Sequence, residues 1–216
     1  MRSSGPAAVL RALLLAAPLA VLPFPSAAHD THAGHAGHAA AGGAKVSAST
    51  VRIRLADTPL RERDGRDVRL VSDVLGDGVA VVNFVYTTCT TICPVSSATM
   101  AELQRRLGAK VGAEVQLVTL TTDPARDTAS RLKEYSARLG AGPGWHWLTG
   151  RKDDIDTVLK AFGAYTPNPE DHPAMTLVGV PTAGTWTRLF GFASVDDLQR
   201  EVEKALEAAR HAGHRR

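Results

Sequence analysis

The chain has 216 residues, with 25 Lys and Arg against 22 Asp and Glu and a formal net charge of +3. Two arginines and no acid fall in residues 1–28, so without that stretch the charge is 3 − 2 = +1. The charges are spread along the sequence, which argues against a nucleic-acid-binding surface and fits an ordinary solvated exterior. Two cysteines in a chain of this length do not make a disulfide-stapled scaffold, so the pair reads as functional rather than structural.

The N-terminus carries Arg2 and Arg11, the apolar run Ala12 to Leu22, and then Ser26-Ala27-Ala28. Basic, apolar and small residues in that order predict a secretory signal peptide over 1–28, cleaved after Ala28, and place the mature protein in a periplasm. An uncleaved anchor over Ala7 to Ala28 is the competing reading. The apolar run is shorter than the roughly 20 residues of a span and is interrupted by Pro18, Pro23 and Pro25. No cysteine stands at the cleavage point to take a lipid.

Residues 29–45 place His29, His32, His35 and His38 among alanine and glycine. Such a segment has nothing to bury and is expected to be disordered, either a solvated linker or a weak trap for Cu(II), Ni(II) or Zn(II). His211 and His214 fall in a tail over 210–216 that is expected to fray and carries no assigned role.

The segment from 46 to 209 predicts one domain. Val51 to Leu55 alternates as a half-buried strand, and Leu60 to Gly78 predicts a hairpin-rich entry. Val79 to Tyr86 is a continuous apolar run suited to a central strand covered on both faces. A helix begins near Pro94 and runs to Gly108, a strand spans Val115 to Thr121, and a helix follows from Asp127, its expected cap, to Leu139. Trp145 to Leu148 predicts a short strand with His146 opposite both tryptophans, a satisfied strand residue rather than a ligand. A helix over Asp153 to Phe162, a hairpin of Met175 to Val180 with Thr185 to Phe190, and a helix from Val195 to about Ala209 complete the order. The fold class is therefore α/β, a central mixed sheet flanked by helices with an N-terminal hairpin extension.

Cys89 and Cys93 sit as Cys-Thr-Thr-Ile-Cys-Pro where the central strand gives way to a helix. Their spacing of four brings two thiols to one side of a helical or near-helical loop, and the helix N-terminus beside Cys93 is expected to lower thiol pKa and ease metal binding at neutral pH. Such a pair can hold a soft metal or close a disulfide. A thioredoxin-type catalyst has two residues between its cysteines where this chain has three. Thr87, Thr88 and Arg126 leave a peroxidase-like reading open. His172, in the proline-rich loop Thr166 to Pro173, reads from the residues alone as a loop histidine. Asp123, Arg126 and Asp127 read as a turn, a helix cap and an Asp to Arg pair.

These elements in this order resemble the thioredoxin superfamily. Phe84-Val-Tyr-Thr-Thr-Cys89-Thr-Thr-Ile-Cys93-Pro94, then Thr122-Asp-Pro-Ala-Arg-Asp-Thr128, then Asp171-His172 before a strand, resemble the Sco/SenC family over about residues 46 to 208. The resemblance implies a thioredoxin-like fold and copper, as Cu(I) or Cu(II), held by Cys89, Cys93 and His172. It implies delivery to the dinuclear copper site of cytochrome c oxidase by a monomeric, exported protein. Asp171 is then expected to orient the His172 imidazole. A thiol-disulfide oxidoreductase using Cys89 and Cys93 as its redox pair, reducing a partner's cysteines before metallation, is the alternative. The Thr-Thr-Ile between the cysteines lacks the acidic residue often found there in the family.

Overall fold

A computed structural model describes residues 46–213. The expected leader, the histidine-rich segment and His214 lie outside the described residues. No described helix is long and apolar enough to cross a membrane.

Eight strands form one mixed sheet. They are β1 (Ser47–Arg52), β2 (Pro59–Glu62), β3 (Asp67–Arg69), β4 (Val79–Val85), β5 (Val115–Thr121), β6 (Trp145–Thr149), β7 (Met175–Val180) and β8 (Thr185–Phe190). Across the sheet the order is β1-β8-β7-β4-β5-β6-β2-β3. At its centre β4, β5 and β6 run parallel, and β7 pairs antiparallel with β4. Four helices accompany them: α1 (Ile92–Leu107), α2 (Ala129–Arg138), α3 (Lys152–Phe162) and α4 (Val195–Gly213).

The centre of the sheet is buried on both faces because its strands supply apolar side chains to both. On β4, Ala80, Val82 and Phe84 join one core with α3 residues Ile155, Val158, Leu159 and Phe162. Val79, Val81 and Val85 join the other with Met100, Leu103 and Leu107 of α1 and Leu198, Val202 and Leu206 of α4. Each fully buried side chain of this kind contributes about 1.5–3 kcal/mol relative to exposure. On the second face Thr119 donates to Asn83 Oδ1 at 2.7 Å and accepts from Trp145 Nε1 at 2.9 Å inside apolar packing, while Asn83 Nδ2 finds no partner among the described residues.

The expected hairpin extension is β2 and β3, turning at Gly65 (φ 90°), with β2 laid against β6. A π-helical turn at Leu70–Leu75 follows and plugs the α3 face with Leu70, Val74 and Leu75. Strand β1 differs from the expectation at Val51 to Leu55. It begins four residues earlier and ends at Arg52, where the next amide, Ile53 N, turns to the carbonyl of Gly184 at 2.9 Å. Helix α4 continues to Gly213, past the expected end near Ala209.

Trp145 and Trp147 pack in the second core, and His146 points the other way, its Nδ1 2.8 Å from Glu62 Oε2. That carboxylate also accepts from Trp147 N at 2.8 Å, pinning the hairpin to β6. His146 is thus a satisfied strand residue.

Candidate metal and thiol site

The parallel strands β4 and β5 end in register at Val85 and Thr121. Beyond that pair the chains separate, and the crevice between them is where an α/β sheet places its chemistry. Tyr86 to Thr91 leads from β4 into α1, and Thr122 to Thr128 leads from β5 into α2. The first loop starts as a turn, with Cys89 N donating to Tyr86 O at 3.1 Å.

Cys93 lies in the first turn of α1 and opens that helix's buried stripe, followed by Ser97, Met100, Leu103 and Leu107. Cys89 sits just before the helix, and Cys93 N donates to its sulfur at 3.4 Å. Neither cysteine is in a disulfide, and both are buried. Burial opposes the Cys89 thiolate, but donors from the Cys93 amide and thiol, the Thr91 amide and the Tyr86 hydroxyl outweigh it and bring the thiol down to about 6. Burial instead pushes Cys93 up to about 12, and the neighbouring Cys89 charge adds to this. The expected lowering of thiol pKa falls on Cys89 and not on Cys93. The helix N-terminus serves Cys89, whose sulfur lies in front of the free amides, while Cys93 is turned into the core. The Tyr86 hydroxyl is itself raised to about 12, first by its bond to Cys89 and then by burial.

Asp127 does not cap α2. The cap is Thr128, whose hydroxyl accepts from Arg131 N at 3.3 Å. Asp127 is fully buried and accepts from Thr87 Oγ1 at 2.5 Å, from Thr87 N at 3.1 Å and from Thr121 Oγ1 at 2.6 Å. Burial raises its pKa against those donors. The expected Asp to Arg pair is present as Asp123 with Arg126 at 2.8 Å.

His172 follows a short 3₁₀ turn at Pro169–Asp171, which Asn168 caps by accepting from Glu170 N at 3.2 Å. Its loop leaves α3 at Gly163, whose left-handed φ of 68° stops that helix, and the Arg188 guanidinium occupies the space a β-carbon would need. The imidazole is buried, with its ring centroid 5.3 Å from that of Phe84. Among the described residues its Nε2 has no hydrogen-bond partner, and burial lowers its pKa to about 4, so the ring is neutral at pH 7. The expected support from Asp171 is absent. That side chain is exposed and makes no described hydrogen bond to the ring, because the 3₁₀ turn directs it to solvent.

The structure thus brings Cys89 and Cys93 together and buries His172 on the loop that follows α3. Phe84 belongs to the α3-side core and the cysteines to the α1-side core. Among the described residues, no three His, Cys, Asp or Glu side chains form a group that could hold a metal ion. Sequence reasoning gave Tyr86 and Phe84 no role of their own at the site and weighed Thr87 only for a peroxidase-like reading. The available signal was their place at the end of a fully apolar strand, where side chains meet the crevice.

Residues 60–205 match the SCO1/SenC family model. The chain belongs to the SCO1/SenC family. Among curated relatives, it is 34% identical over 156 residues to a Stutzerimonas stutzeri protein named as copper-binding, taking in 68% of this chain and 75% of that one. It is 33% identical over 113 residues to the SCO1 protein homolog of Bacillus subtilis, 51% of this chain and 57% of the relative. The match therefore spans little more than half of that relative's length. Among solved structures, BsSco, described as a member of the Sco family of cytochrome c oxidase assembly proteins with a disulfide switch, superposes with a TM-score of 0.62. It is 26% identical, over 74% of this chain and 96% of that one. Copper-bound ScoI of Bradyrhizobium japonicum shares the fold at 22% identity and a TM-score of 0.58, over 71% of this chain and 99% of that one. These likenesses bear out the thioredoxin-like mixed sheet of the SCO1/SenC family.

Proposed function

We propose that this protein carries copper as cargo between Cys89, Cys93 and His172 and supports assembly of the dinuclear copper site of cytochrome c oxidase in an exported compartment. The observation that carries this reading is the pairing of a low-pKa thiol, Cys89, with Cys93 beside a helix N-terminus. The buried His172 Nε2 without a partner adds to it. A desolvated ring nitrogen costs free energy unless something uses it, and a neutral imidazole is ready to ligate.

The donor set fits the cargo. Two sulfurs and one imidazole suit Cu(I), and Cu(II) accepts the same set with one more ligand. Cys89 is already ionised at neutral pH, and Cys93 must release its proton as copper binds. The copper-binding name of the S. stutzeri relative and the copper in ScoI support the choice of metal.

Reduced, anaerobic protein titrated with Cu(I) against a competing chelator tests the reading. One tightly held copper per chain, lost in C89S/C93S and weakened in H172A, is expected. A parent without tight copper overturns it.

A second reading, thiol-disulfide exchange with a partner, is favoured by the split between the thiols. Cys89 is ionised and nucleophilic while Cys93 stays protonated, as an attacking and resolving pair requires. Rapid reduction of an oxidised peptide by a parent that holds no copper would select it.

A further inference from the structure

Asp127 is unlike the other acids near the site. It is fully buried, no cation among the described residues pairs with it, and Arg126 beside it is engaged by Asp123. Its donors come from two directions. Thr121 ends β5, whereas Thr87, which gives both its amide and its hydroxyl, lies two residues before Cys89. Thr122 supplies one further tie at this level, on the Val85 carbonyl, which accepts from its N at 2.8 Å and its Oγ1 at 3.4 Å. Beyond that tie, among the hydrogen bonds described, the Asp127 carboxylate is what joins the cysteine loop to the β5–α2 loop.

The geometry points to Asp127 as a positioning residue for the dithiol, clamping the loop at Thr87 so that Cys89 is held in front of Cys93. This deepens the reading of Cys89 and Cys93 as a working pair and rests on it. A carboxylate accepting an amide and two hydroxyls in a dry crevice makes stronger bonds than neutral acceptors do. Holding one thiol at a fixed place before the other raises their effective concentration for closing a disulfide. Asparagine weakens the clamp, since it carries no charge and offers one acceptor oxygen in place of two, so a threonine hydroxyl must turn and accept from its NH₂.

The test uses exchange with glutathione. The protein dithiol reduces glutathione disulfide, losing two electrons and two protons as the Cys89–Cys93 bond forms, and two molecules of glutathione are released. The equilibrium constant is measured for the parent, D127N, T87V, T121V and the double variant D127N/T87V, each checked for folding by circular dichroism. Loss of the clamp shifts the equilibrium toward the dithiol by about tenfold or more in D127N and T87V, the scale of one hydrogen bond to a charged group. The double variant shifts no further than D127N, because the two residues act as one unit. T121V breaks a bond to the same carboxylate without freeing the cysteine loop, and stays within about twofold of the parent whatever stability it loses.

Folded D127N and T87V within about twofold of the parent, a shift toward the disulfide, or a T121V shift equal to that of D127N would each overturn the proposal. Copper content of the reduced parent is read in parallel. Its absence would defeat the copper reading while leaving this equilibrium a valid test of the clamp.

Discussion

The His172 ring lies 5.3 Å from the Phe84 ring, and Phe84 in turn meets Phe162 of α3 at 5.9 Å. This aromatic contact, rather than a polar partner, holds the imidazole in the described arrangement. Burial of the ring accounts for the neutrality of His172.

Burial of a neutral histidine makes stability depend on pH. The His172 pKa falls from an ordinary value near 6.5 to about 4 in the folded chain. Between those values the unfolded chain binds more protons than the folded one, so stability rises with pH. The contribution is fully present above about pH 6.5 and is lost as pH falls toward 4, on the order of 2–3 kcal/mol at most. Denaturant unfolding at a series of pH values should show this slope in the parent and a flatter one in H172F. Equal slopes would contradict the assignment.

Shortening Phe84 should release the ring. F84L opens space in a tightly packed core and should cost on the order of 1–2 kcal/mol. It should also let water reach the imidazole, so that an NMR titration places the His172 pKa nearer its ordinary value. An unchanged pKa in F84L would mean that some other neighbour desolvates the ring.

The two thiols should differ in reactivity. With Cys89 near 6 and Cys93 near 12, alkylation at pH 7 should label Cys89 and leave Cys93 largely untouched, with a rate that climbs through about pH 6. Peptide mapping of the reduced protein decides the order. Preferential labelling of Cys93 would reverse the electrostatic picture of the site.

Arg126 offers a contrast with Asp127. Its guanidinium is well exposed, so its pair with Asp123 is worth little. R126A should change the unfolding free energy by less than about 1 kcal/mol and leave the alkylation pattern as it is. A larger loss would show that the loop after β5 depends on this pair.

Much of this was readable from the residues. The strands at Val115 to Thr121, Met175 to Val180 and Thr185 to Phe190 match the sequence expectation because apolar runs and alternation of period two leave few other ways to bury their side chains. The apolar stripe of α4 through Leu198, Val202 and Leu206 was legible for the same reason. The role of Asp127 was not. Asp127 and Thr128 are both good capping residues, and what separates them is Thr87, forty positions away, which engages the carboxylate and leaves the cap to Thr128. The thiol order was hidden too, since it depends on which cysteine joins the buried stripe of α1. Nor does spacing in the chain reveal the seat of His172, because that follows from packing against Phe84.

The most direct test of copper ligation is X-ray absorption at the copper edge on stoichiometrically loaded, reduced protein, parent beside H172A. Two sulfur scatterers and one imidazole nitrogen in the parent, with the imidazole signal lost in H172A, is the predicted result. A copper environment identical in the two proteins would contradict the assignment of His172. Absence of sulfur in the parent would contradict the site at Cys89 and Cys93 altogether.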